Sequence, residues 1–186
     1  MDSLKIIQEF IKPLQQLKID YIVTGSIASI IYGNPRLTHD IDIVLSIEKK
    51  KTENFLECFN KELFYVPPIN IFKIELNREV HGHVNIIHLE SGFKADIYFL
   101  DSSKLQQWAI ENYFEINFLD LIIRLAPIEY VIIQKMLFYK ESNLQKHILD
   151  IQGILEHSRD KINFEVLNYY INNYNLQEIW QKIIPS

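Results

Sequence analysis

One short span of the sequence, residues 21–47, constrains the fold more than any other part of the chain. An apolar run at residues 21–24 stops at Gly25-Ser26, and a short apolar segment then leads to a turn cluster at residues 33–36. A second run, rich in Ile and Val, begins at Asp40. This order predicts a strand, a short helix and a second strand.

The second run carries two acidic residues, Asp40 and Asp42. Side chains two apart on a strand share a face, so both carboxylates should point away from Ile41 and Ile43. Paired carboxylates repel each other unless a cation lies between them, and such oxygen ligands suit Mg²⁺. The alternative is that both side chains are simply solvated at an exposed strand end.

Gly25-Ser26 follows the first strand directly. If this dipeptide opens a helix, the helix N-terminus offers backbone N–H groups and a positive dipole end to a phosphate. Gly-Ser is also a common turn dipeptide, so the pattern alone leaves both readings open. A phosphate site beside a metal site in one short span indicates nucleotide chemistry.

The composition bounds the class of protein. The 186 residues, 48% of them apolar, suit one domain or a core domain with a smaller appendage. A net charge of −5 argues against a general polyanion binder, although an RNA end could enter a local basic pocket. The single cysteine, Cys58, excludes an internal disulfide framework, and we expect it to be a small core residue of a helix. No signal peptide or membrane span is evident, so the sequence predicts a soluble, cytoplasmic protein.

The remaining elements follow from periodicity and turn signals. Residues 69–76 are ambiguous between strand and loop, and residues 115–124 are predicted as a final core strand. From Pro127 onward the pattern is helical, which predicts a core at residues 1–125 and a helical part at residues 126–186. The other predicted elements are helices at residues 3–18, 52–63 and 102–112, a hairpin at 84–89 and 93–100, and C-terminal helices near 127–141, 144–157, 163–173 and 176–184.

Two further charged residues stand out against apolar surroundings. Asp96 interrupts an apolar, aromatic strand, so it is either a third carboxylate of a metal site or a solvated residue. Lys135 falls on the apolar stripe of its helix, seven residues after Ile128. It must extend to solvent or find an anion, either a phosphate or an acidic partner. Asp150 could pair with Lys135 or with Lys146.

Other chemistries fit less well. His81, His83 and His88 lack a fourth ligand at zinc-like spacing. Ser26 lacks the Gly-x-Ser-x-Gly context of a hydrolase nucleophile, and no Walker phosphate loop occurs.

The motif TGSIASIIYGNPRLTHDID resembles the signature of the nucleotidyltransferase superfamily. The closer likeness is to small members found in toxin–antitoxin and abortive-infection systems, and it extends over roughly residues 20–155. The later stretch around Lys135 and Asp150 also resembles the family's helical part, except that His147 stands where an aspartate often follows the lysine. The resemblance implies an α+β fold of the DNA polymerase β type, a mixed β-sheet core flanked by helices with a C-terminal helical segment.

The resemblance also implies roles for individual residues. Two Mg²⁺ ions, with Mn²⁺ as an alternative, would be held by Asp40, Asp42 and Asp96, and Asp96 would also help accept the proton of the attacking hydroxyl. The nucleotide phosphates would be contacted by Gly25, Ser26 and Lys135. The turn before Asp40 contains Arg36 and Thr38, which would shape it or touch substrate.

The implied reaction moves a nucleoside monophosphate from a nucleoside triphosphate such as ATP to a hydroxyl, releasing pyrophosphate. The acceptor would be an RNA 3′ end such as that of tRNA, a partner protein or a small molecule such as an aminoglycoside. The alternative is a catalytically silent nucleotidyltransferase-like protein that acts as a binding or regulatory partner, such as an antitoxin. The sequence indicates neither the nucleotide preference nor the oligomeric state.

Overall fold

The computed structural model describes residues 3–118 and 120–184 and shows a mixed seven-stranded sheet flanked by helices. No helix in these ranges combines the length and the apolar character that crossing a membrane requires. The strands are β1 (Asp20–Thr24), β2 (Asp40–Ser46), β3 (Phe64–Tyr65), β4 (His83–His88), β5 (Lys94–Phe99), β6 (Phe114–Phe118) and β7 (Leu121–Leu125). The α-helices are α1 (Ser3–Gln16), α2 (Gly25–Tyr32), α3 (Thr52–Glu57), α4 (Ile69–Leu76), α5 (Lys104–Glu111), α6 (Ile128–Ser142), α7 (Lys146–Ser158), α8 (Phe164–Asn173) and α9 (Gln177–Ile183).

The sheet has the strand order β3-β4-β5-β2-β1-β7-β6. Strand β2 lies at its centre, antiparallel to β1 and parallel to β5, and β1 is parallel to β7 on its other side. The central strands bury Ile22, Ile41, Ile43 and Ile97, each at most 2% exposed. This architecture confirms the predicted α+β class with a C-terminal helical segment. The proposed division of the chain at residue 125 stays a prediction.

Two buried hydrogen bonds of Tyr32 join the end of α2 to the segment before α6 and to the end of α7. Its hydroxyl donates to the carbonyl of Ala126 at 2.8 Å, and the Ser158 hydroxyl donates to the carbonyl of Tyr32 at 2.7 Å. The next residue, Gly33, packs closely against α7, because a Cβ there would lie 2.8 Å from the backbone N of Ile154. These contacts fix the C-terminal end of α2, and therefore the direction of its N-terminal end.

Two predicted elements were wrong in kind. Residues 69–76 form helix α4 after Pro68, anchored by Phe72, which is fully buried against Phe55 and Phe99. A single buried anchor leaves no periodic stripe, so the sequence shows no helical signal. Residues 115–124 are not one strand. They belong to the antiparallel pair β6 and β7, and the sequence misleads because no Gly or Pro separates the two strands.

Smaller corrections concern helix ends and one side chain. The helix predicted at residues 52–63 ends at Glu57, and Cys58 caps it as an exposed residue rather than a core residue. The cap of α5 is Ser103, whose hydroxyl accepts from the backbone N–H of Gln106 at 3.2 Å. The helix predicted at residues 102–112 therefore begins two residues later, at Lys104.

Candidate active site

The three acidic residues singled out in the sequence come together at one place on the sheet. Asp40 and Asp42 open β2, and the parallel register with β5 sets Asp42 directly beside Asp96. Asp40 is paired in the same register with Lys94. Alternate residues of a strand share a face, so the three carboxylates and the Lys94 side chain project on the same side.

Asp42 carries the strongest electrostatic signal among these carboxylates. Burial raises its pKa to about 6, with the charges of Asp40 and Asp96 acting in the same direction. The backbone N–H of Ser26 and the ammonium of Lys135 act against this increase. At neutral pH the ionised form of Asp42 is therefore less favourable than that of an ordinary Asp, and a bound cation would stabilise it.

Asp96 is held differently, because Lys94 and His83 lie beside it. Lys94 Nζ contacts its two oxygens at 3.0 and 2.7 Å, and His83 Nε2 lies 3.6 Å from Oδ1. Burial alone would raise the pKa of Asp96, but the interactions with His83 and Lys94 outweigh it and the pKa lies below its ordinary value. Within residues 3–118 and 120–184, no group of three His, Cys, Asp or Glu side chains is arranged as a ready set of metal ligands.

Asp40 is positioned by its neighbour Thr38. The Thr38 hydroxyl donates to Asp40 Oδ1 at 2.5 Å and lies 3.4 Å from the Asp40 carbonyl oxygen. The sequence left Thr38 between shaping the turn and touching substrate. Its observed contacts are with Asp40, so it orients a carboxylate of the site.

Gly25 lies at the junction of β1 and α2, in contact with Asp42. Its φ of +59° is a conformation that favours glycine, and a Cβ there would lie 1.8 Å from Asp42 Oδ2. The next residue, Ser26, donates its backbone N–H to the same Oδ2 at 3.2 Å. The phosphate contact predicted for Ser26 stays a prediction.

Thr24, the residue before Gly25, was not singled out in the sequence. Its side chain is 6% exposed, and its Oγ1 has no hydrogen-bond partner among the described residues. An unpaired buried polar atom costs free energy, and of the three described residues with such a side-chain atom only Thr24 is paired with Asp42 in the register of β1 and β2. In the sequence, only its position directly before Gly25 could have drawn attention to Thr24.

A cluster of charged residues lies beside the N-terminal end of α2, where two cations, Lys135 and Arg36, contact Asp150. Lys135, which is 5% exposed, contacts Asp150 Oδ2 at 2.5 Å, and Arg36 contacts both Asp150 oxygens at 3.0 and 3.2 Å. Arg36 also donates to the Ser26 hydroxyl at 3.0 Å. Asp150 therefore pairs with Lys135, one of its two predicted partners, and with Arg36 in addition. Two positive charges against one negative leave this cluster net positive.

A cavity of about 290 Å³ adjoins both groups of charges. Thr24, Gly25, Asp42 and Lys135 line one part of it. The rest of the wall comes largely from α6, the end of β5 and the loop after it, and it is rich in aromatic side chains. These are Tyr98, Phe99, Tyr130, Phe138 and Tyr174.

The fold can now be compared with known proteins. No protein-family model matches the sequence, and a comparison with curated proteins finds no match. Solved structures do match. One is the crystal structure of an antigenic nucleotidyltransferase-like protein from Paracoccidioides brasiliensis, at 18% identity and a TM-score of 0.56, covering 98% of this chain and 91% of that one. Another is the solution structure of the antibiotic-resistance factor ANT(2'')-Ia, at 12% identity and a TM-score of 0.56, covering 98% and 99%.

The chain has a nucleotidyltransferase-like fold. At these identities the likeness concerns the fold, and it agrees with the architecture that the sequence motif implies. The narrower likeness to members from toxin–antitoxin and abortive-infection systems stays a prediction.

The site fits a divalent cation at Asp40 and Asp42. Both offer hard oxygen ligands, and a bound cation would offset the burial and the neighbouring carboxylate charges that raise the pKa of Asp42. Asp96 adjoins them in the register, but it fits as a third ligand only if Lys94 moves away from its oxygens.

Proposed function

We propose that this protein is a metal-dependent nucleotidyltransferase that moves a nucleoside monophosphate from a nucleoside triphosphate to a hydroxyl acceptor and releases pyrophosphate. One observation carries the proposal. Asp42, whose carboxyl pKa is raised, and Lys135, a buried ammonium, line the same cavity together with Thr24, whose Oγ1 has no hydrogen-bond partner among the described residues. Metal and phosphate are the ligands that these opposite charges would take.

The negative side of the site would hold the metal. Asp40 and Asp42 would be its ligands, with Thr38 holding Asp40 in orientation and Asp96 as a third carboxylate. When bound, two Mg²⁺ ions, or Mn²⁺, would activate the attacking hydroxyl and neutralise the leaving oxygen. Asp96, next to the pair, would help accept the proton of that hydroxyl.

The positive side would bind the triphosphate. Thr24 and Gly25, at the N-terminal end of α2, line the cavity, and so does Lys135 from α6. Arg36 is bound to Ser26 Oγ, which places its charge at the same end of the helix. Asp150 holds the two cations in place, because it pairs with each of them. The protein would thus contribute positioning and charge stabilisation rather than covalent chemistry.

The aromatic part of the cavity would receive a nucleoside or the acceptor. Its rings offer flat apolar surfaces for stacking, and 290 Å³ is close to the lower end of the range for small-molecule pockets. The acceptor would be an RNA 3′ end such as tRNA, a hydroxyl on a partner protein, or a small molecule. ANT(2'')-Ia, which shares the fold, is an antibiotic-resistance factor, so antibiotics that carry hydroxyl groups, aminoglycosides included, belong among the acceptors to be tested.

The test is transfer of label in the presence of Mg²⁺. Purified protein is incubated with each of the four labelled nucleoside triphosphates and with total tRNA, lysate proteins or aminoglycosides. The proposal expects label on one acceptor class, and a loss of at least about a hundredfold in Asp40→Ala and Asp42→Ala, since each removes a metal ligand. Absence of transfer to every acceptor, together with absence of metal-dependent nucleotide binding, would favour a silent binding protein instead.

A further inference from the structure

Lys94 is a cation inside the proposed metal site, and the proposed function gives it no role. It lies on β5 two residues before Asp96, in register with Asp40. Its ammonium contacts both oxygens of Asp96, and the negative charges of Asp40 and Asp42 also act on it. Burial would lower the pKa of Lys94, but these three carboxylates outweigh burial and the pKa lies above its ordinary value.

We propose that Lys94 is a built-in counter-ion that competes with the divalent cation for Asp96, so that metal binding requires its ammonium to move away. This inference rests on the proposed function, because it concerns the metal site assigned there. It predicts that the chain without nucleotide binds a divalent ion more weakly than its three carboxylates would allow.

The competition follows from charge and from donor geometry. Lys94 Nζ lies 2.7 Å from Asp96 Oδ2 and 3.0 Å from Oδ1, which are ordinary lengths for strong charge-assisted hydrogen bonds. A divalent ion bound to the same oxygens would lie close to the ammonium, and two cations at such a distance repel each other strongly. The ion and Lys94 therefore stabilise Asp96 as alternatives.

The surroundings give Lys94 room to move while Asp96 stays in place. The Lys94 side chain is 39% exposed, whereas that of Asp96 is 8% exposed. His83 lies 3.6 Å from Asp96 Oδ1, and the Asn85 amide, with its nitrogen turned toward Asp96, lies 2.7 Å from the same atom. Asp96 Oδ2 has only Lys94 as a partner among these groups, so it is the oxygen that departure of Lys94 would release.

The test measures metal affinity rather than activity. Mn²⁺ is titrated into nucleotide-free protein, and free Mn²⁺ is followed by electron paramagnetic resonance. Lys94→Met removes the charge and keeps most of the side chain. It should bind Mn²⁺ about tenfold more tightly, because the ammonium that competes for Asp96 through a charge-assisted hydrogen bond is gone. Lys94→Arg keeps the charge and should bind like the natural chain. Lys50→Met is the matched control, because it removes a surface lysine that pairs with Glu48 after the far end of β2.

The double variant Lys94→Met with Asp96→Asn identifies the oxygen donor. The gain in affinity should disappear, since the competition concerns Asp96. Equal Mn²⁺ affinity in the natural chain and in Lys94→Met, or a gain that survives Asp96→Asn, would overturn the inference, and so would absence of Mn²⁺ binding in all variants. The proposed function stands or falls separately, on label transfer by the natural chain.

Discussion

Replacing Asp42 by Asn should make the protein more stable while removing the proposed transfer activity. The pKa of Asp42 is about 6 in the folded chain against an ordinary value of 3.8. Because the folded pKa is the higher one, the folded state binds more protons between these values, and stability falls as pH rises through this window. Above pH 6 the ionised carboxylate costs about 3 kcal/mol of unfolding free energy, and Asp42→Asn removes that cost.

Urea denaturation at two pH values measures this effect. At pH 8 the midpoint of Asp42→Asn should exceed that of the natural chain by about 1 to 2 M, for a slope near 2 kcal/mol per molar urea. At pH 5 the gain should fall to about half, because Asp42 is then largely protonated in the folded chain. Mg²⁺ should narrow the gap at pH 8, since it stabilises only a chain that binds it. Asp20→Asn, at an exposed surface pair with Arg124, is the control, and its effect should stay within about 1 kcal/mol.

The opposite result would refute the reasoning. If Asp42→Asn is no more stable than the natural chain at pH 8 without Mg²⁺, burial and the neighbouring carboxylates do not destabilise the ionised form of Asp42 in the folded protein. A gain that is the same at pH 5 and pH 8 would also contradict it, because it could not arise from ionisation of Asp42.

Two further substitutions test the site's construction by urea denaturation. Gly25→Ala should lower the free energy of unfolding by about 2 kcal/mol or more, because the added Cβ would overlap the Asp42 carboxylate. The control is Gly92→Ala, at a similar positive φ with nothing within 4 Å of the added Cβ, and its loss of stability should be smaller. Equal losses in the two variants would contradict the contact between Gly25 and Asp42. Asp150→Ala should cost about 3 to 5 kcal/mol by leaving the buried Lys135 unpaired, and the double variant with Lys135→Met should recover most of that loss. Failure of this recovery would mean that Asp150 stabilises the fold through other contacts.

The sequence was most informative where local pattern determines structure. The order of β1, α2 and β2 follows from apolar runs and turn residues, and the strand period predicts that Asp40 and Asp42 share a face. The alternation of β5 likewise predicts that Asp96 points away from the buried Phe93 and Ala95. The remaining step, the register that sets Asp96 beside Asp42, depends on pairing between distant strands.

What the sequence did not indicate depends on three-dimensional neighbours. Lys94 shares a strand face with Asp96, two residues away, yet its position as the counter-ion of Asp96 emerges only from side-chain packing. The convergence of Arg36 and Lys135 on Asp150 likewise requires α6 and α7 to be docked against the turn after α2. Thr24 became informative only as a buried hydroxyl without a partner.

The most direct test of the central claim compares two positions of the label in the same nucleoside triphosphate. With Mg²⁺ and the acceptor that responds in the transfer screen, label at the α-phosphate should appear on the acceptor, and label at the γ-phosphate should appear in pyrophosphate. Both signals should be lost in Asp42→Ala. Label reaching the acceptor from the γ-phosphate, or transfer that persists in Asp42→Ala, would contradict the account.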